Sequence, residues 1–263
     1  MSARCWFITG VSAGGIGHAI AQAALSKGDI VYGTLRRKEQ AAEFQALAPG
    51  RAHALLMDVT QPQQIAQAVA DAGTIDVLVN NAGVGMVAAL EETSPAEARA
   101  LFESNVFGAL QVIQAVLPQM RRRRAGRIIN ISSGVGLFAL PGMALYSASK
   151  FALEGLTEAL AGEVAALGIH VTAVEPGAIL SNFVGPNMRE AETKLPDYAQ
   201  VSGHGRAGLA HYYESSASKP EAVAAAVTAL ADQSQPPSRC VVGADVQAAL
   251  RMKFETMQSL LGG

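Results

Sequence analysis

Apolar residues recur along this chain in two rhythms. Short runs that are apolar at nearly every position fall at Cys5–Thr9, Ile30–Leu35, Ala52–Met57, Val77–Asn80, Arg127–Ser132, His170–Val174 and Arg239–Val242. They read as strands buried on both faces. Longer Ala-rich stretches near 17–28, 38–48, 61–72, 95–120, 145–167, 219–232 and 245–261 carry the helical period. Pro95 after Ser94 suits a first helical turn, and Gly168 suits the end of the long helix before the next strand. Doubly buried strands separated by helices predict an α/β fold, a parallel sheet covered on both faces. No composition break or repeat divides residues 1–263, so a single domain is expected. The one irregular stretch, about 178–218, holds Asn182, Phe183, Tyr198, His204, His211, Tyr212 and Tyr213 among Gly203, Gly205 and Gly208. A long insert after a strand reads as a lid or substrate loop. A surface excursion with incidental aromatics is the alternative.

Composition narrows the class. Half of the residues are apolar and 16% charged, with a net charge of −2, so a large core is available. Nucleic acid or an anionic membrane is not expected as the main partner. Cys5 and Cys240 sit far apart in apolar runs and read as reduced thiols. No metal-ligand spacing of Cys or His appears, and no metal is expected. No signal-peptide pattern and no window of eighteen uninterrupted apolar residues is seen, which points to a cytoplasmic protein without an integral membrane segment.

The first strand runs into Thr9-Gly10-Val11-Ser12-Ala13-Gly14-Gly15-Ile16-Gly17, and a helix begins at His18. A strand, a glycine-rich turn and a helix N-terminus form a phosphate site, because the backbone approaches closely and its N–H groups point outward. Strand two ends at Thr34-Leu35-Arg36-Arg37, with no acid where a ribose-binding carboxylate would stand. Two guanidiniums suit a 2′-phosphate, so NADP(H) is preferred and NAD(H) remains possible. Asp58-Val59 closes strand three, where Asp58 accepts from an adenine amino group or caps a helix near Thr60. Asn80-Asn81-Ala82-Gly83 closes strand four. Such strand ends gather at the ligand-binding edge of a parallel sheet.

Tyr146 and Lys150 stand four residues apart, one turn along a helix face. A phenol has a pKa of roughly 10. An adjacent ammonium favours the phenolate and brings it toward working pH. Ser133, at the end of the fifth strand, completes a set able to move a proton on and off an alcohol oxygen.

In this order and spacing the motifs resemble those of the short-chain dehydrogenases/reductases over nearly the full length. They are Thr9-Gly10…Gly15-Ile16-Gly17, Asp58-Val59, Asn80-Asn81-Ala82-Gly83, Asn105, Ser133, Tyr146…Lys150 and Pro176-Gly177. The resemblance implies a Rossmann-type, doubly wound sheet of about seven strands and a nicotinamide cofactor. It implies Tyr146 as the acid–base residue, Ser133 as the donor to the substrate oxygen, and Lys150 as the group that lowers the Tyr146 pKa and holds the nicotinamide ribose. Asn105 would support a relay water, and Pro176-Gly177, Ile179 and Ser181 would fix the nicotinamide amide. The turn departs from the family by one extra residue between Gly10 and Gly17. Aligning Gly15-Ile16-Gly17 with the helix side places a bulge near Ala13-Gly14 and leaves the roles of Ser12 and Gly14 open.

Leu35-Arg36 after Tyr32, together with Ser149-Lys150-Phe151-Ala152-Leu153-Glu154-Gly155-Leu156, resembles the hydroxysteroid and retinol branch more than the acyl-carrier-protein ketoreductases; the extra-residue turn is also similar to acyl-dihydroxyacetone-phosphate reductases. The implied substrate is a lipophilic ketone, aldehyde or alcohol in an apolar pocket near Val84, Met86, Leu137, Met143 and Phe183. A 3-ketoacyl-thioester reductase and a non-catalytic NADP-sensing protein are the alternatives. Arg121–Arg124 reads as a solvated helix end, and His204 and His211 as exposed loop residues. The resemblance also implies a homodimer or homotetramer formed through helices 95–120 and 145–167.

Overall fold

The computed structural model describes residues 3–185, 187–202 and 217–260. The sequence-predicted strands appear as β1 (Cys5–Ile8), β2 (Ile30–Leu35), β3 (Ala52–Leu56), β4 (Val77–Asn80), β6 (Gly126–Ile131), β7 (Ile169–Pro176) and β9 (Arg239–Val242). They form one parallel seven-stranded sheet in the order β3-β2-β1-β4-β6-β7-β9. The order reverses between β1 and β4, which opens a crevice at their carboxyl ends.

Strand alternation feeds two cores. Trp6 and Ile8 point with Val77, Val79, Ile129 and Ile131 into one layer, and Phe7 points with Leu78 and Ile128 into the other. The first layer is closed by α1 (Ile16–Ser26), α2 (Ala41–Ala46) and α8 (Pro220–Asp232), through Ile20, Ala24, Phe44, Val227 and Leu230. The second is closed by α3 (Pro62–Ala72), α5 (Gly108–Arg123) and α6 (Ala144–Val164), through Ile65, Val112, Val116, Met120 and Leu160. Both faces of the sheet are therefore covered, as the unbroken apolar runs require.

The stretch expected as one helix over 95–120 is continuous but not uniform. It comprises α4 (Pro95–Phe102), a π-turn over Glu103–Phe107, and α5. Ser94 and Glu97 form a reciprocal capping box, with Glu97 N donating to Ser94 Oγ at 3.2 Å and Ser94 N donating to Glu97 Oε2 at 2.8 Å. By length and composition the whole run 95–123 would be able to cross a membrane. Here Leu101, Val112, Val116 and Met120 are all buried in the protein.

The arginine run at its end, Arg121–Arg124, is exposed, as a solvated helix end should be, and its last two members reach neighbouring carbonyls. Arg123 donates to Ile75 O at 2.6 Å and Arg124 to Ala166 O. Two further elements were not legible in the pattern. Gly85–Val87 (β5) and Met188–Glu190 (β8) pair in parallel beside the main sheet. Three residues are too few to show a period. The short α7 (Ala199–Ser202) and the exposed α9 (Ala244–Leu260) complete the described chain. His204, His211, Tyr212 and Tyr213 lie outside the described residues.

Gly33 shows how tightly the nucleotide half is packed. A Cβ there would stand 2.5 Å from Phe44 Cζ and 2.6 Å from Val11 Cγ2. Gly33→Ala is expected to cost about 1–3 kcal/mol by overpacking, read as a lower urea midpoint. An unchanged midpoint would show that Phe44 yields freely.

Candidate active site

The carboxyl ends of β1, β2, β3, β4, β6 and β7 open onto one cleft of about 800 Å³. Of the residues to which the sequence assigned a catalytic or cofactor role, all except Gly17 and Asn105 line it. Those two act from behind the wall. A Cβ on Gly17 would lie 2.4 Å from Gly10 O and 2.5 Å from Asn81 Nδ2, so only glycine lets helix and strand close up there. Asn105 is buried in the π-turn behind Lys150.

The nucleotide end is built on a lock between β1 and β4. Thr9 Oγ1 accepts from both Asn81 N and Ala82 N at 2.9 Å. Asn81 Nδ2 donates back to Thr9 O at 2.9 Å and Gly10 O at 2.8 Å. Gly10 adopts φ +75° within this lock. Helix α1 has Gly15 at its N-cap and therefore no side-chain cap, so its first-turn N–H groups face the cleft uncapped. An uncapped helix N-terminus, bare glycine backbone on the wall and two exposed arginines at the rim, Arg36 and Arg37, fit a dinucleotide with its phosphates at the turn.

The extra residue of the turn bulges at Ala13-Gly14, with Gly14 at φ +73°. Asn182 Nδ2 donates to Ala13 O at 2.8 Å, so the bulge carries the segment after β7. Ser12 Oγ meets Gln40 Oε1 at 3.2 Å, and Gln40, which sequence reasoning missed, also lines the cleft. Asp58 does not cap α3, whose N-cap is Gln61. Its Oδ1 instead accepts from Thr60 N at 2.9 Å and Thr60 Oγ1 at 2.8 Å, a local turn that fixes the carboxylate on the cleft wall.

At the other end, α6 presents Tyr146 and Lys150, both buried, toward the cleft. Lys150 Nζ donates to Ile131 O at 2.9 Å and lies 5.9 Å from the centre of the Tyr146 ring. Burial pushes the ammonium pKa down to about 8, opposed by the charge of Glu154. Ser133 faces the same cleft, its Oγ accepting weakly from Val135 N at 3.4 Å. Asn105 accepts from Val84 N at 2.9 Å and donates to Val84 O at 2.9 Å. Its Nδ2 also reaches Ser149 Oγ at 3.1 Å, and Ser149 in turn donates to Tyr146 O at 2.7 Å. The π-turn thus sets Asn105 against α6 at the level of the Tyr–Lys pair.

Phe183 packs tilted on Tyr146 at 5.7 Å between ring centres. Val84, Met86 and Met143 join both rings in one apolar cluster. Leu137, expected there, is half-buried elsewhere, with Lys253 of α9 donating to its carbonyl, and Phe138 packs on the cluster instead. Leu137 follows a 3-10 turn, Gly134–Gly136, that redirects the chain.

Residues 4–192 match the family model described as short chain dehydrogenase. Oxidoreductase BOA17 of Botryotinia fuckeliana is 36% identical over 92% of this chain and 89% of its own. The 3-ketodihydrosphingosine reductase of Bacteroides thetaiotaomicron is 37% identical over 94% and 90%. Retinol dehydrogenase 8 of Bos taurus is 42% identical over 52% of this chain and 45% of its own. Among solved structures, a short-chain dehydrogenase of Streptomyces avermitilis is similar with a TM-score of 0.91 at 41% identity, covering 99% of this chain and 95% of that one. A short chain dehydrogenase of Burkholderia cenocepacia in complex with NADP is similar with a TM-score of 0.78 at 28% identity, covering 98% and 96%.

The buried ammonium has a cost that can be measured. The folded state holds the Lys150 proton less tightly than the unfolded chain, since its pKa falls from 10.5 to about 8. That cost is fully present below pH 8 and vanishes as pH rises toward 10.5. Lys150→Met is therefore expected to stabilise the ligand-free protein by about 1–2 kcal/mol at pH 7, after loss of the Ile131 hydrogen bond. The gain should disappear by about pH 10.5 in urea unfolding. Lower stability than wild type at pH 7 would contradict the burial argument.

Proposed function

The chain belongs to the short-chain dehydrogenase family, and from that membership we propose that it is an NADP(H)-dependent oxidoreductase interconverting a lipophilic ketone or aldehyde and its alcohol. The observation that carries the reading is the grouping of Ser133, Tyr146 and Lys150 on one wall of the cleft whose other end is the glycine turn. The nicotinamide, when bound, supplies or takes up the hydride. Tyr146 Oη gives a proton to the carbonyl oxygen during reduction and takes it back during oxidation. Ser133 Oγ donates to the same oxygen, so that negative charge develops against two fixed donors. Lys150, cationic below about pH 8, favours the Tyr146 phenolate and would hold the nicotinamide ribose. Asn105, tied to Val84 and Ser149, orients a water beside Lys150 that returns the proton from solvent.

The preference for the phosphorylated cofactor rests on Arg36 and Arg37 at the rim, with no carboxylate in their place. The NADP-bound Burkholderia structure supports it. The lipophilic substrate rests on Val84, Met86, Met143 and Phe183 packed around Tyr146. Retinol and 3-ketodihydrosphingosine, named for two relatives, are lipophilic molecules of this kind. Just beyond Val84, the β5–β8 pair and the chain after it carry Glu190 and Glu192 beside Arg189. That surface suits an uncharged substrate better than the acidic carrier or phosphates of an acyl thioester. Half-exposed Phe107 and Phe151, on the π-turn and α6, support the homodimer or homotetramer read from the sequence.

Tyr146→Phe is expected to abolish NADPH-linked turnover of lipophilic ketones while leaving NADPH affinity nearly unchanged. Wild-type turnover in that variant would sink the mechanism. Arg36→Ala is expected to weaken NADPH about tenfold and NADH hardly at all, from the loss of one charged hydrogen bond. Equal losses for both would remove the 2′-phosphate argument. Activity confined to acyl thioesters would select the ketoacyl reductase.

A further inference from the structure

Behind Lys150, away from the cleft, lies a charge cluster that the mechanism above leaves unused. Glu154 follows Lys150 by one turn of α6, and Glu175 is the penultimate residue of β7, immediately before Pro176-Gly177. Both are buried, Glu175 completely. Arg239 of β9 reaches them both, with Nη1 2.7 Å from Glu154 Oε2 and 3.4 Å from Glu175 Oε1. Its Nη2 holds the exposed Glu158 at 2.7 Å. Glycine makes the approach to Lys150 possible. A Cβ on Gly136 would lie 3.2 Å from both Glu154 Cγ and Lys150 Cβ, and 2.8 Å from Ser132 Oγ. Glu154 Oε1, Glu175 Oε2 and Ser132 Oγ are all buried within this cluster.

Two buried carboxylates sharing one guanidinium are costly, and apolar side chains of like volume would usually serve stability as well or better. Such a cluster calls for a purpose. The charged and titratable groups around Glu154 are Lys150 and Glu158 on its own helix, Glu175 on β7, and Arg239 with Cys240 on β9. The nearest acid of α9, Asp245, is engaged with Ala178 N at 2.9 Å. Among the described residues, Lys150 is therefore the one buried cation on the cleft side of this group.

We propose that Glu154 is a positioning residue for the reaction: a carboxylate, fixed by Arg239, that supplies the counter-charge for Lys150 beneath Tyr146. This rests on the oxidoreductase reading above. Burial raises the pKa of both acids, that of Glu175 to about 7, with the neighbouring Glu154 charge adding to the rise. Arg239 opposes both shifts. Its guanidinium lies nearer Glu154, at 2.7 Å, than Glu175, at 3.4 Å, which favours the negative charge of the pair on Glu154.

Glu154→Gln removes a negative charge near the Tyr146–Lys150 pair, so the pair surrenders its first proton at lower pH. The alkaline limb of kcat/KM for ketone reduction is expected to move down by about one pH unit, with NADPH affinity little changed. Competitive acetylation with acetic anhydride, read by mass spectrometry at Lys150, should show its half-labelling pH falling by the same amount. That second reading needs no turnover. A wild-type enzyme inactive on every ketone would sink the oxidoreductase reading, while the labelling profile would still decide the Glu154 assignment. Arg239→Lys, which keeps the cation, should leave both profiles near wild type. Should Glu154→Gln fail to fold, Glu154→Asp draws the charge back by one methylene and should move both profiles the same way by less. Unmoved profiles in a folded Glu154 variant, with only a uniform loss of rate, would reduce the cluster to a structural role and overturn the proposal.

Discussion

Burying the Lys150 ammonium is expensive: an ion taken from water loses hydration worth several kcal/mol unless the protein replaces it. The replacements come from elements far apart in the chain. Ile131 O at the end of β6 accepts a hydrogen bond from it at 2.9 Å, and Glu154 opposes the fall in its pKa from the next turn of α6. Asn105 approaches the same helix from a π-turn, anchored to the chain just beyond β4. Each demand made by one buried charge is met by a strand end or helix turn that the fold has to bring to one place.

A parallel sheet meets that demand because all its carboxyl ends face one way. β1 and β4 are neighbours by pairing, and the Thr9–Asn81 exchange fuses their ends into a rigid floor for the glycine turn. The bulge at Ala13-Gly14 then has a physical account. It offers the Ala13 carbonyl to Asn182 and so connects the turn to the segment carrying Phe183. Phe183 lies on Tyr146, which links the wall at the phosphate end to the apolar surface around the proton donor.

Much of this was legible without coordinates. Each strand of the main sheet was placed to within about two residues, because doubly buried strands form short, mainly apolar runs that need no tertiary context to stand out. Tyr146 and Lys150 were legible because a spacing of four on a helix fixes a shared face. Where inference from the pattern failed, a short or long-range interaction prevailed. Of the two roles left open for Asp58, capping α3 gives way to a turn onto Thr60; Leu137 is redirected by a 3-10 turn, and the run 95–123 bulges around Asn105. The three-residue pair β5–β8 has too few side chains to carry a period.

The chain's own pattern thus determined the sheet, its covering helices, the glycine turn and the face on which the tyrosine and lysine meet. These follow from periodicity and steric rules that act within a few residues. Only the tertiary structure decided that Asn182 reaches Ala13, that Gln40 enters the cleft, and that Arg239 binds Glu154 from 85 residues away. Contacts across such separations leave no local rhythm, since either partner alone satisfies the propensity of its own element; the energy that selects them exists only once the sheet has assembled.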